Sequence, residues 1–93
     1  MLVNIKIFYF SVFGKGSISL FFNNDATVCD VLDELNDKFG EDFEKETGKN
    51  LMESFGTYFN VFLNGKHLEL PLELRHKLKN EDQLIILRPV SGG

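Results

Sequence analysis

Thr27-Val28-Cys29-Asp30-Val31-Leu32-Asp33-Glu34-Leu35-Asn36-Asp37-Lys38-Phe39-Gly40 decides the fold. Val28, Val31, Leu32, Leu35 and Phe39 recur at the spacing of one helical face, with Asp30, Asp33, Glu34 and Asp37 on the solvent side. Thr27 is an N-cap residue, Asp30 stands where a capping-box partner would, and Gly40 is placed to end the helix in a left-handed turn. The spacing therefore predicts one amphipathic helix, apolar along a single stripe.

Strand patterns lie on both sides of it. Leu2 to Phe10 alternates, with Val3, Ile5, Ile7 and Tyr9 opposed to Asn4, Lys6, Phe8 and Phe10. Gly14-Lys15-Gly16 breaks the chain, and Ser17 to Phe22 alternates again, which predicts an antiparallel hairpin. This breaker is no phosphate loop, because it has neither the spacing of one nor a following helix. After the helix, Tyr58 to Leu63 reads as a strand and Asn64-Gly65 as a tight turn. Lys66 to Leu70 reads as a short return strand stopped by Pro71. Leu84 to Leu87 is a last apolar strand after a turn at Asn80-Glu81-Asp82. Residues 41–57 contain the anchors Phe43, Leu51, Met52 and Phe55 but show no clean period, so a packed connector is expected there.

The expected class is α+β: a mixed sheet of four to five strands with one main helix packed on one face. Residues 1–88 form a single domain in this reading, and 89–93 a flexible tail. Charged residues make up 26% of the chain and the net charge is −4, with scattered basic residues, which argues against nucleic acid as a partner. No apolar run is long enough for a membrane span, and no signal-peptide pattern is read at the start, so a cytoplasmic protein is expected. A lone Cys29 excludes an internal disulfide; its place in the first helical turn could lower a thiol pKa, but an incidental thiol is the simpler reading. His67 and His76 form no metal motif and read as surface residues, and no bound cofactor is expected.

Three segments together carry a family resemblance: Thr27-Val28, Phe59-Asn60-Val61-Phe62-Leu63-Asn64-Gly65, and Leu84-Ile85-Ile86-Leu87-Arg88-Pro89-Val90-Ser91-Gly92-Gly93. The chain resembles the MoaD/ThiS-like β-grasp (ubiquitin-like) sulfur carriers, and its long connector looks most like the archaeal branch that includes the small archaeal modifier proteins. Arg88 stands where the family usually has proline, and Asn80-Glu81 where it usually has glycine; asparagine can take up the left-handed backbone such a turn needs.

The resemblance implies that Gly93 is the working group, with Gly92 beside it. An E1-like adenylating enzyme would use ATP to activate the Gly93 carboxylate. The product is either a thiocarboxylate, for molybdopterin (molybdenum cofactor) biosynthesis with a MoaE-like large subunit, or an isopeptide bond to a target lysine. The chain would be a carrier rather than an enzyme. Arg88, Pro89, Val90 and Ser91 would thread into the partner, and the missing Cβ atoms of Gly92 and Gly93 suit a narrow channel. In the implied strand order, Ile5, Ile7, Val61, Leu63, Leu84 and Ile86 face the helix. Phe8, Phe62, Ile85 and Leu87 then share the opposite face as a partner-binding patch, unless the 41–57 connector covers them. A β-grasp module that binds without covalent chemistry is a third reading.

Overall fold

The computed structural model describes residues 2–9 and 16–87. The elements are β1 (Leu2–Tyr9), β2 (Gly16–Asn23), α1 (Val28–Thr47), α2 (Leu51–Ser54), β3 (Asn60–Leu63), β4 (Lys66–His67) and β5 (Gln83–Leu87). They build one mixed sheet in the order β2-β1-β5-β3-β4. β5 is central, parallel to β1 and antiparallel to β3. Ile5, Ile7, Val61, Leu63, Leu84 and Ile86 are all buried toward α1, as the alternation predicts. The sheet is thus dry on one side, where Val28, Val31, Leu32 and Leu35 of α1 close the core.

α1 begins as expected. The Asp30 carboxylate accepts from the Thr27 backbone N–H at 2.8 Å and from its hydroxyl at 3.2 Å. The helix does not stop at Gly40; it runs on to Thr47 and ends at Gly48, which is left-handed at φ 74° and donates its N–H to the Glu44 carbonyl. Phe43 explains the extension, since it continues the apolar stripe one turn past Phe39 and is buried against Phe59 with ring centroids 5.6 Å apart. Burying a phenylalanine outweighs the roughly 1 kcal/mol that a mid-helix glycine costs.

The rest of the connector is also ordered by aromatic packing. Asn50 caps α2 by accepting from the Glu53 N–H, and Leu51 and Phe55 enter the core. Phe59 sits at the centre of this cluster, in ring contact with Phe43, Phe55 and Tyr58. The connector therefore adds to the helix-side layer and leaves the outer sheet face alone. β3 starts at Asn60 rather than Tyr58, because the Ser54 carbonyl accepts from the N–H groups of Thr57, Tyr58 and Phe59 and holds them in a turn. β4 is shorter than expected. The Leu68 N–H still bonds Val61, but the Glu69 N–H is taken by the Glu73 carboxylate, and the backbone turns off the sheet before Pro71.

In the last turn, Glu81 rather than Asn80 takes the left-handed backbone, at φ 71°. Asn80 acts through its side chain, accepting from the Asn4 N–H at 2.8 Å, while the Glu81 N–H bonds the Asn4 carbonyl. Among the described residues, no helix is long and apolar enough to cross a membrane.

These placements separate three glycines by the effect of adding a methyl group. At Gly40 a Cβ meets only the end of the Asn36 side chain, which can rotate away, so Gly40→Ala should stabilise the fold by about 0.5–1 kcal/mol. At Gly56, φ is 89° and a Cβ would lie 2.7 Å from Leu70 Cβ, so Gly56→Ala should cost about 2–3 kcal/mol. Gly48 has open space, and alanine there should cost only the strain of its positive φ, about 1 kcal/mol. Urea denaturation of the three variants checks the order; a destabilised Gly40→Ala would contradict the continuous helix.

Candidate functional site

The outer sheet face carries the opposite parity of the core strands. Register sets Phe8 beside Ile85, and Ile85 beside Phe62, so the three side chains form one row across β1, β5 and β3. The row continues onto β4, where Phe62 pairs with His67 and their rings meet edge to face at 5.3 Å. Leu87 lies one step along β5, opposite Asn60. Phe8, Phe62, Ile85 and Leu87 are all half-buried, and none belongs to the core cluster. Register therefore brings these four residues, from three strands distant in sequence, onto one sheet face.

Its margin is polar. Lys6 pairs in register with Gln83 and makes a 3.4 Å ion pair with Glu81, with both side chains about half exposed. His67 Nε2 stands 3.4 Å from Asn60 Oδ1. His67 is exposed, in line with its reading as a surface residue, and its ring flanks the outer row. The signal was available: a two-residue Asn64-Gly65 turn dictates that Leu63 faces Lys66 and Phe62 faces His67.

Of the expected site residues, Gly92 and Gly93, together with Arg88, Pro89, Val90 and Ser91, lie outside the described residues. The described chain reaches Leu87, the patch residue that directly precedes Arg88.

The surroundings of Cys29 agree with an incidental thiol and not with one whose pKa is lowered. The N–H groups of Val28 and Cys29 are engaged by the carbonyls of His76 and Leu74, so the helix start does not present free donors to the thiol. Burial pushes the Cys29 thiol up, the Asp33 and Asp30 charges add to this, and Arg75 opposes it. Cys29 Sγ lies 3.8 Å from Asp33 Oδ2, a contact that favours the protonated thiol. No group of His, Cys, Asp or Glu among the described residues is arranged to hold a metal ion. An apolar recess of about 270 Å³ lies between Leu32, Met52, Phe55, Leu70 and Leu74, away from the outer face.

A five-stranded mixed sheet with β5 at its centre and one long helix over one face defines a ubiquitin-like β-grasp protein. The chain belongs to the ThiS family, whose model matches residues 11–93. No curated protein matches it at a significant level. Among solved structures it is similar to small archaeal modifier protein 1 from Methanosarcina acetivorans, at 27% identity and TM-score 0.66, covering 100% of this chain and 99% of that one. It also shares its fold with a putative molybdopterin converting factor subunit 1 from Pyrococcus furiosus, at 20% identity and TM-score 0.66, covering 95% and 99%. A third similar structure comes from a complex of subunits 1 and 2 of the Helicobacter pylori molybdopterin-converting factor, at 21% identity and TM-score 0.56, covering 98% and 100%.

The Cys29 environment has a measurable consequence. With its folded pKa raised, the thiolate fraction at neutral pH falls below that of the unfolded chain. Alkylation by iodoacetamide should be slower in the native protein, and its pH midpoint should move up rather than down. A native midpoint below that of the urea-unfolded chain would show an activated thiol instead.

Proposed function

We propose that this chain is a ubiquitin-like sulfur carrier. Its Gly93 carboxylate is adenylated by an E1-like enzyme and converted to a thiocarboxylate for molybdopterin biosynthesis. The chemistry needs a free terminal carboxylate and close access to its carbonyl. A carboxylate oxygen attacks the α-phosphorus of ATP and pyrophosphate leaves; a sulfide-level sulfur nucleophile then attacks the acyl-adenylate carbonyl and AMP leaves. Gly92 and Gly93, without Cβ atoms, let the activating enzyme surround that carbonyl, and residues 89–93 link it to the domain. ATP belongs to the enzyme, and this chain binds no cofactor of its own.

One observation carries the reading: the apolar row of Phe8, Ile85 and Phe62 is half-buried on the sheet face away from the helix, and Leu87, on the same face, lies two residues before Pro89 in sequence. A partner seated on that row holds the tail's starting point in a fixed position, which turns delivery of Gly93 into a short-range event. The same surface suits the activating enzyme and a MoaE-like subunit in turn. Similarity to small archaeal modifier protein 1 over the whole chain favours a second reading, in which a target lysine amine displaces AMP and forms an isopeptide bond.

Mass spectrometry of the protein from its native cell separates the readings. Exchange of oxygen for sulfur at Gly93 is the expected result, while Gly-Gly remnants on lysines of other proteins would establish conjugation. An unmodified terminus, with full function after deletion of Gly93, would leave a noncovalent module and defeat both.

The patch is tested separately with Phe62→Asp. Phe62 lies outside the core, so the variant should fold with a far-ultraviolet spectrum unchanged. Loss of an aromatic anchor should weaken binding to the activating enzyme by tenfold or more, on the order of the 2 kcal/mol typical of interface anchors. Unchanged affinity in a folded variant removes the patch from the mechanism.

A further inference from the structure

The sheet has two edges, and they are built differently. β4 is two residues long, contains Lys66, and gives way to a turn that takes the backbone off the sheet. A short, charged edge of this kind resists pairing with another strand. β2 has none of these protections. It is eight residues long, pairs with β1 in an unbroken register from Leu2–Asn23 to Tyr9–Gly16, and among the described residues pairs with no other strand. Between Gly16 and Asn23 there is no charged residue and no proline, in a chain where 26% of residues are charged.

The side chains on β2 are also incompletely covered. Its inward residues Ile18, Leu20 and Phe22 are only half-buried, whereas their inward neighbours on β1, Ile5 and Ile7, are fully buried. On its outer side Phe21 is 65% exposed. The unpaired backbone defines the chemistry of what covers this edge: an extended strand, apolar on alternate residues.

We propose that a second copy of this chain supplies that strand, pairing β2 with β2 antiparallel about a two-fold axis at Leu20. Residues opposite one another in a sheet share a face, and this register meets that condition along its length. It sets Ile18 against Phe22 on the inner side and Phe21 over the small Ser19 on the outer side. Charge agrees with it. Each copy carries −4, yet the strands that meet are uncharged from Gly16 to Asn23, so no like charges are brought together along the pairing. The outer faces of the two copies become one continuous ten-stranded face, with the Phe8–Ile85–Phe62 row of each copy still open.

Sedimentation velocity over a concentration series tests the pairing. The wild-type mass should rise from 10.7 kDa toward twice that value. In the proposed register position 19 faces position 21 of the other copy, so S19K/F21K places like charges opposite each other at two symmetric sites. S19E/F21K places opposite charges there. Both positions are exposed, and thermal melts should show both variants folded. S19K/F21K should associate at least about tenfold more weakly than S19E/F21K. A wild-type protein that stays monomeric at its highest soluble concentration overturns self-pairing and leaves the edge for an extended peptide of another protein. A dimer indifferent to S19K/F21K, or lost equally in both variants, overturns this register.

Discussion

The entry of β5 into the middle of the sheet rests on one buried carboxylate. Asp82 is only 8% exposed, and its two oxygens accept from the Asn64 side-chain amide at 2.8 Å and the Lys79 N–H at 2.7 Å. Asn64 in turn accepts from the Gln83 N–H at 2.9 Å and donates its own N–H to the Gln83 carbonyl. The β3–β4 turn and the first residue of β5 are thereby locked together. A buried acceptor left without these donors would cost about 1–3 kcal/mol, which makes the arrangement selective as well as stabilising. It fixes Leu63 beside Leu84, and through that pair the register of the whole central strand.

Register matters here because the side-chain period of a strand is two. A slip of one residue would turn Ile85 and Leu87 inward and expose Leu84 and Ile86. Core and patch would then exchange residues, and the apolar row shared with Phe8 and Phe62 would be lost. The turn chemistry at Asn64-Gly65 and Asp82 therefore sets the outer apolar surface even though none of these residues belongs to it. This couples local hydrogen bonding to recognition through a sheet only a few residues deep.

Much of this was legible in the residues. Strand parity sorted Ile5, Ile7, Val61, Leu63, Leu84 and Ile86 from Phe8, Phe62, Ile85 and Leu87, because alternation is local and survives into the sheet. What failed to read depended on distant contacts. Gly40 and Gly48 are both chemically able to cap α1, and only the burial of Phe43 against Phe59 decides between them. Tyr58 and Phe59 look like strand residues, but the Ser54 carbonyl captures their N–H groups first. The Cys29 environment likewise depends on Leu74 and His76, far away in sequence, whose carbonyls occupy the helix start. The reading of residues 88–93 rests on sequence and family alone.

On the proposed function, a division of labour between body and tail would explain how one fold accompanies both a putative converting-factor subunit and a modifier protein. Adenylation makes the same electrophile whatever follows, and sulfur or a lysine amine attacks the same carbonyl. The body cannot choose the nucleophile by chemistry, since the outer face presents apolar side chains with a polar margin. On the proposed function it would choose by selecting which partner docks. The apolar row provides binding area, but apolar contact discriminates poorly between similar partners. Selection must then come from the margin, where the Lys6–Glu81 pair, Gln83, Asn60 and His67 set charge and hydrogen-bonding demands around the row. The residues that distinguish one member of this family from another in function are therefore to be sought on that rim rather than in the core or the closing glycines.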